Sequence, residues 1–306
     1  MVSTKDQIHS PISARRVVSC DLLLVTRPMK TIALLYGKRV PALGQGTWGI
    51  GERKATHANE VMALRLGIEV GMTLIDTAEM YGDGGAEQVV ADAIEGQRDR
   101  VFVVTKVYPH NASHTELPKA CARSLKRLRI DAIDVYLLHW RGGVPLEETV
   151  DTFENLRAAG KIKRWGVSNF DLGDMKELLE VEDGCNCTTN QVLYNLENRE
   201  IDFDLLPWSH TNKIPIMAYS PVGHSGQLLR NAALKKIATR HNATPAQVAL
   251  AWLLRQPNVI AIPKASTEAH VRDNARSIEI ELTKEDLAAL DQEFPPPKSK
   301  KPLPTL

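Results

Sequence analysis

Residues 101–140 read VFVVTKVYPHNASHTELPKACARSLKRLRIDAIDVYLLHW, and this stretch decides the fold. It opens on an apolar run, Val101–Lys106, and closes on a second, Ile133–His139. Between them lies a helix-period segment, with Ser113 and Glu116 spaced as a capping box at its start. A strand, a helix and a strand in so short a span make a βαβ unit, whose crossover leaves the two strands parallel.

Moving outward, the same alternation repeats in both directions. Further apolar runs fall at Ala42–Gly46, Thr73–Asp76, Trp165–Ser168, Thr188–Gln191, Ile214–Tyr219 and Val259–Ile262. Thr244-Pro245 with Gln247 supplies a cap, a first-turn proline and an N3 partner for one helix, and Gly71, Gly96 and Gly160 stand where left-handed helix stops are expected. Eight βα units in about 260 residues predict a closed (β/α)8 TIM barrel rather than a doubly wound open sheet. Before it, Ile32–Leu35 and Arg39–Leu43 alternate about a turn at Gly37-Lys38, which predicts an N-terminal β-hairpin. We therefore expect an extension over residues 1–28, one barrel domain over 29–294, and a Pro- and Lys-rich tail over 295–306 that is either a disordered end or a loop packed over the barrel mouth.

Composition narrows the function classes. Across 306 residues, 38 Lys+Arg stand against 37 Asp+Glu, a net charge of +1 that supplies no basic field for nucleic acid. No apolar stretch approaches the ~18 residues of a membrane span. Cys20, Cys121, Cys185 and Cys187 are too sparse for a disulfide scaffold and fit no zinc spacing, so the expectation is reduced thiols, no metal and a cytoplasmic location, while the oligomeric state is open with a monomer as the default.

The apolar runs finish in polar groups. Asp76, Lys106, His139, Ser168-Asn169, Gln191, Tyr219-Ser220 and Lys264 all stand at a strand end or one or two residues beyond it. Singly, each has an ordinary structural explanation as a cap, a surface lysine or a satisfied core histidine. Together they would open on one face of a parallel barrel, where a carboxylate, an ammonium and an imidazole, with Tyr81 on the loop after Asp76, would perturb one another as groups in catalytic sites do.

At this point the chain resembles the aldo-keto reductases, from about Met29 to Phe294. The motifs that carry the resemblance are Gly46-Thr47-Trp48, Leu74-Ile75-Asp76-Thr77-Ala78 leading to Tyr81-Gly82, Thr105-Lys106, Leu137-Leu138-His139-Trp140, Trp165-Gly166-Val167-Ser168-Asn169-Phe170, Asn190-Gln191, Ala218-Tyr219-Ser220-Pro221 and Ile262-Pro263-Lys264. Within the family it is similar to the bacterial methylglyoxal reductase-like members. The resemblance implies NADPH-dependent reduction of small aldehydes or α-ketoaldehydes, with NADH as the lesser possibility. Tyr81 would donate the proton, Lys106 would ease its ionisation, Asp76 would hold Lys106 charged, and His139 would polarise the carbonyl.

Trp48, Tyr108 and Trp140 would line the substrate pocket. By the same resemblance Ser168, Asn169 and Gln191 hold the nicotinamide carboxamide against Tyr219, with Gly46, Thr47, Trp48, Asp76, Ser220, Pro221 and Val222 around it. Lys264, Ser266, Thr267, His270 and Asn274 would meet the adenosine phosphate end near a helix N-terminus. His270 departs from the family pattern, which often has arginine there, and an imidazole is a weaker phosphate clamp than a guanidinium.

Gly44-Gln45-Gly46-Thr47-Trp48-Gly49 matches Gly-x-Gly-x-x-Gly, but Ile50-Gly51-Glu52-Arg53 continues as loop where a Rossmann helix should open, so that reading fails on context. Two rival functions remain at this stage. One is a barrel lyase or aldolase using Lys106 as a Schiff base, and the other a non-catalytic dinucleotide-binding regulator.

Overall fold

The structure is a computed structural model and describes residues 27–306. The extension expected over residues 1–28, with Cys20, therefore falls almost wholly outside the described residues. Strands β1 (Thr31–Ala33) and β2 (Arg39–Pro41) pair antiparallel about a short 3-10 turn, Leu35–Gly37, giving the expected hairpin.

Eight parallel strands follow: β3 (Gln45–Gly46), β4 (Leu74–Asp76), β5 (Phe102–Val107), β6 (Val135–Leu138), β7 (Trp165–Ser168), β8 (Asn190–Leu193), β9 (Ile216–Tyr219) and β10 (Val259–Ala261), each paired with the next in chain order. The ring closes between first and last. Gly44 and Gly46 donate to the carbonyls of Ala261 (2.8 Å) and Pro263 (3.0 Å), and Ala261 donates to Ala42 (2.8 Å).

Helices α1 (His57–Glu69), α2 (Gly85–Ile94), α3 (Leu117–Leu128), α4 (Leu146–Ala158), α5 (Leu172–Glu180), α6 (Leu205–Asn212), α7 (Ala232–Arg240), α8 (Pro245–Leu254), α9 (Glu268–Arg276) and α10 (Lys284–Glu293) complete the chain. Thr244 and Gln247 form the expected capping box on α8, and Gly71, Gly96 and Gly160 all have positive φ. The expected box at Ser113 does not form. Ser113 Oγ accepts from Glu116 N at 3.3 Å, but α3 starts only at Leu117 with Pro118 in its first turn, so Glu116 stands at the N-cap rather than at N3 and its carboxylate accepts from Lys119 Nζ at 2.9 Å instead.

Strand periodicity sorts the core into two. Outward residues such as Ile75, Val103, Tyr136, Val167 and Ile216 pack under the helices. Inward residues Leu74, Phe102, Val104, Val135, Leu137, Met217 and Ile260 form a separate cluster with Ile32, Leu34 and Val40 of the hairpin, which thus plugs the floor of the barrel. Side chains two apart share a face. The inner face therefore continues upward from these apolar layers to Asp76, Lys106, His139, Ser168, Tyr219 and Lys264.

Candidate active site

The polar upper layer is fixed by the ladder itself. Beyond the last paired residues the backbone keeps its parallel pattern: His139 N–H donates to Val107 O (3.0 Å), Asn169 N–H to Gln191 O (2.8 Å) and Glu79 N–H to Lys106 O (3.3 Å). Asn169 and Ser220, directly after β7 and β9, adopt left-handed backbone with φ of 60° and 47°. Strain of this kind in non-glycine residues concentrates at functional sites.

Lys106 is 1% exposed. Its Nζ donates to Asp76 Oδ2 at 2.7 Å, to Thr77 O at 2.8 Å and to Tyr81 Oη at 3.1 Å, which uses all three of its protons. Asp76, equally buried, accepts from Gln191 Nε2 on its other oxygen at 2.7 Å. Burial works against the Lys106 ammonium, but Asp76 and Tyr81 outweigh it and its pKa is raised. Burial also lifts Asp76, with Lys106 and Gln191 pulling back.

Burial lifts the Tyr81 phenol above its ordinary value, and the downward pull of Lys106 offsets this only in part, because Asp76 opposes it. The cation therefore eases ionisation, as the sequence leads one to expect, without winning. Tyr81 keeps its proton at neutral pH. His139 stands edge-on to the Tyr81 ring, centroids 5.8 Å apart. Burial, seconded by the Lys106 charge, drives its pKa down to about 2, so the imidazole is neutral, and its buried Nδ1 has no partner among the described residues.

These groups meet at a cavity of about 570 Å³. Gly46, Thr47, Trp48, Asp76, Tyr81, His139, Trp140, Ser168, Asn169, Gln191, Tyr219, Ser220, Pro221, Val222 and Lys264 all line it. Lys106 lies behind Tyr81 rather than on the wall. Tyr108 is one shell back, edge-on to Trp140 at 5.9 Å and stacked on His110 at 4.8 Å. Ser266, Thr267, His270 and Asn274 lie outside the cavity at the start of α9 and along it: Thr267 Oγ1 caps the helix by accepting from His270 N at 3.3 Å, and Asn274 is buried.

The structure adds lining residues that sequence reasoning passed over, namely Gly49, Glu52, Met80, Gly223, His224, Ile262 and Leu306. His224 packs on the exposed face of Trp48 with centroids 5.0 Å apart, joining two loops across the mouth. The tail over residues 295–306 also covers the mouth: Lys300 pairs with Asp171 (3.3 Å) and Asp204 (3.9 Å), Leu303 packs on the core and Leu306 lines the cavity. No helix of the described residues is long and apolar enough to cross a membrane.

A nicotinamide dinucleotide fits this wall. Thr47 Oγ1 is buried on this wall with no partner among the described residues. The neutral amides of Asn169 and Gln191 line the same cavity as Ser168 and Tyr219. Burial pushes the Tyr219 phenol up to about 12, and it donates to Asn169 Oδ1 at 3.0 Å.

Comparison with known proteins agrees with this geometry. The chain is 53% identical over 265 residues to methylglyoxal reductase YeaE of Escherichia coli (strain K12), covering 85% of this chain and 93% of that protein. It is 33% identical over 268 residues to glyoxal reductase of Bacillus subtilis (strain 168), covering 85% and 91%. A crystal structure of an aldo-keto reductase from Klebsiella pneumoniae in complex with NADPH superposes with a TM-score of 0.89 at 49% identity, covering 92% of this chain and all of that one. The sequence profile of the Aldo/keto reductase family matches residues 42–293. The eight-stranded barrel, its hairpin plug and this profile identify the chain as a member of the aldo/keto reductase family.

Proposed function

We propose that the protein is a cytoplasmic monomer that reduces small aldehydes and α-ketoaldehydes of the methylglyoxal type to alcohols, using NADPH. The observation that carries this reading is the Tyr81–Lys106–Asp76 chain of contacts beneath a cavity walled by His139. When bound, NADPH supplies the hydride.

The chain's own residues do the rest. Tyr81 arrives protonated and gives its proton to the carbonyl oxygen. Lys106 then faces the phenolate at hydrogen-bond distance, so the charge left behind is met by a cation already in place rather than by water that must reorganise. Asp76 keeps Lys106 charged, since an unpaired ammonium in a dry site tends to lose its proton. Neutral His139 can donate to the same carbonyl oxygen without adding a second positive charge beside Lys106. Ser168, Asn169 and Gln191 would hold the nicotinamide carboxamide. Gln191 has committed its nitrogen to Asp76 and keeps its oxygen for an amide N–H, while Asn169 would exchange its bond with Tyr219 for one with the ligand.

NADPH is favoured over NADH by Lys264 on the cavity wall and by the capped N-terminus of α9 beyond it, with His270 as the weaker element of that site. The free thiols Cys121, Cys185 and Cys187 fit a reducing compartment. A Schiff-base role for Lys106 fits poorly, because a nucleophilic amine must shed its proton and reach the cavity, whereas this one is raised in pKa and enclosed by three acceptors.

Tyr81→Phe is the test. Turnover of methylglyoxal with NADPH should fall by at least about a hundredfold, the scale of general acid catalysis, while nucleotide affinity is kept. In the wild type kcat/KM should be higher with NADPH than with NADH. Near-normal turnover in the variant would overturn the mechanism, and a preference for NADH would overturn the cofactor assignment.

A further inference from the structure

Glu79 is a buried carboxylate in the middle of the turn that ends in Tyr81, yet it does not line the cavity and touches neither Lys106 Nζ nor the Tyr81 hydroxyl. Its Oε1 accepts from the backbone N–H of Tyr108 at 2.9 Å and from Asn111 Nδ2 at 3.0 Å. Its own N–H is held by Lys106 O at 3.3 Å, and Tyr81 N–H closes the turn onto Ala78 O at 3.1 Å. The nearest cation, half-exposed Arg123, stands 3.8 Å away on the other oxygen.

A carboxylate taken out of water needs donors, and here these come from one place, the turn over Tyr108–Asn111 after β5. That turn carries Tyr108 against Trp140 of the pocket wall. One side chain thus ties the loop bearing the proton donor to the loop backing the substrate wall, while the Glu79 backbone N–H ties the same turn to the strand that carries Lys106.

We infer that Glu79 is a positioning residue, which sets the Tyr81 hydroxyl against Lys106 and against the bound carbonyl by fastening the Tyr81 turn to the Tyr108 turn. The inference rests on the function proposed above. A displacement of about 1 Å at a reacting group can cost on the order of a hundredfold in rate, so the effect belongs in kcat. Glutamine keeps an acceptor oxygen at the same place, whereas alanine removes it.

The test compares Glu79→Ala, Glu79→Gln, Asn111→Ala and Tyr81→Phe in methylglyoxal reduction, with the NADPH dissociation constant read by nicotinamide fluorescence. Expected is a kcat at least tenfold lower in Glu79→Ala with the NADPH constant within threefold of wild type, and a kcat within threefold of wild type in Glu79→Gln. A Glu79→Ala kcat less than tenfold lower, an NADPH constant shifted in parallel with kcat, or a glutamine variant as impaired as the alanine one would each overturn the inference.

If Glu79→Ala does not fold, Asn111→Ala decides. A threefold or greater fall in its kcat, with NADPH binding kept, supports the tie, and a smaller fall overturns it. Tyr81→Phe separates the two levels: if it retains turnover the proposed function itself fails, whereas an inactive Tyr81→Phe beside a fully active Glu79→Ala removes only the role of Glu79.

Discussion

His139 shows how one residue's surroundings set both its chemistry and the pH response of the protein. In the unfolded chain its imidazole takes up a proton near 6.5, and in the fold only near 2. The folded state binds fewer protons across that window, so this group's contribution to stability is complete above the unfolded value and is lost as pH falls. From about pH 6 to about pH 4 the loss from His139 alone should be about 2–3 kcal/mol. Urea titrations at these two pH values should show that slope in the wild type and a shallower one in His139→Leu; equal slopes would mean that the imidazole is not held neutral. Asp76, Lys106 and His139 were legible in the sequence because each ends an apolar run, and Tyr81 through its place on the loop after Asp76. The balance at Tyr81 was not, since burial against charge depends on how deeply Lys106 and Asp76 are enclosed.

At the scale of elements, the N-cap of α8 is fastened to the body of α9. Thr244 Oγ1 receives the Gln247 N–H at 3.2 Å and itself donates to Asp273 Oδ2 of α9 at 2.9 Å, while Gln247 Nε2 reaches the same carboxylate at 2.9 Å. Thr244→Ala should cost about 1–2 kcal/mol, the usual range for a lost N-cap, and Thr244→Ser most of that less. Chemical denaturation midpoints check it; an unchanged alanine variant would mean that water replaces the cap.

This helix start was readable because cap, proline and N3 partner agree. The one at Ser113 misled because the helix begins three residues later than the spacing implies, with Glu116 at the N-cap and its carboxylate on Lys119. The run expected at Thr188–Gln191 is a strand at Asn190–Leu193, although bonding to β7 already begins at the two threonines, Thr188 N–H donating to Trp165 O at 2.9 Å and Thr189 O accepting from Val167 N–H at 3.1 Å. Glu52, His224 and Leu306 escaped notice for a different reason. Glu52 and His224 sit on connections whose course is set by contacts such as Trp48 with His224, and Leu306 on the tail after the last helix, and periodicity carries no signal in either.

For the whole molecule, the tail and the ring matter most. Residues 295–306 cover the mouth through Lys300, Leu303 and Leu306, so removing residues 299–306 should open the cavity without loosening the barrel. We expect KM for methylglyoxal to rise several-fold with a melting temperature within about 3 °C of wild type, on the scale of less than 1 kcal/mol for a protein this size. Steady-state kinetics and calorimetry would show it, and an unchanged KM would place the tail outside the substrate's path.

The closure between β3 and β10 has a consequence of another kind. A sheet that is a complete ring offers no row of unpaired amides to a neighbouring molecule, and so is shielded from strand-to-strand aggregation. Here the shield hangs on a few hydrogen bonds at Gly44, Gly46 and Ala261, made across a two-residue strand. Where that short seam parts, the edges of β3 and β10 are exposed together, so the same few bonds that complete the ring also keep its pairing groups from other molecules.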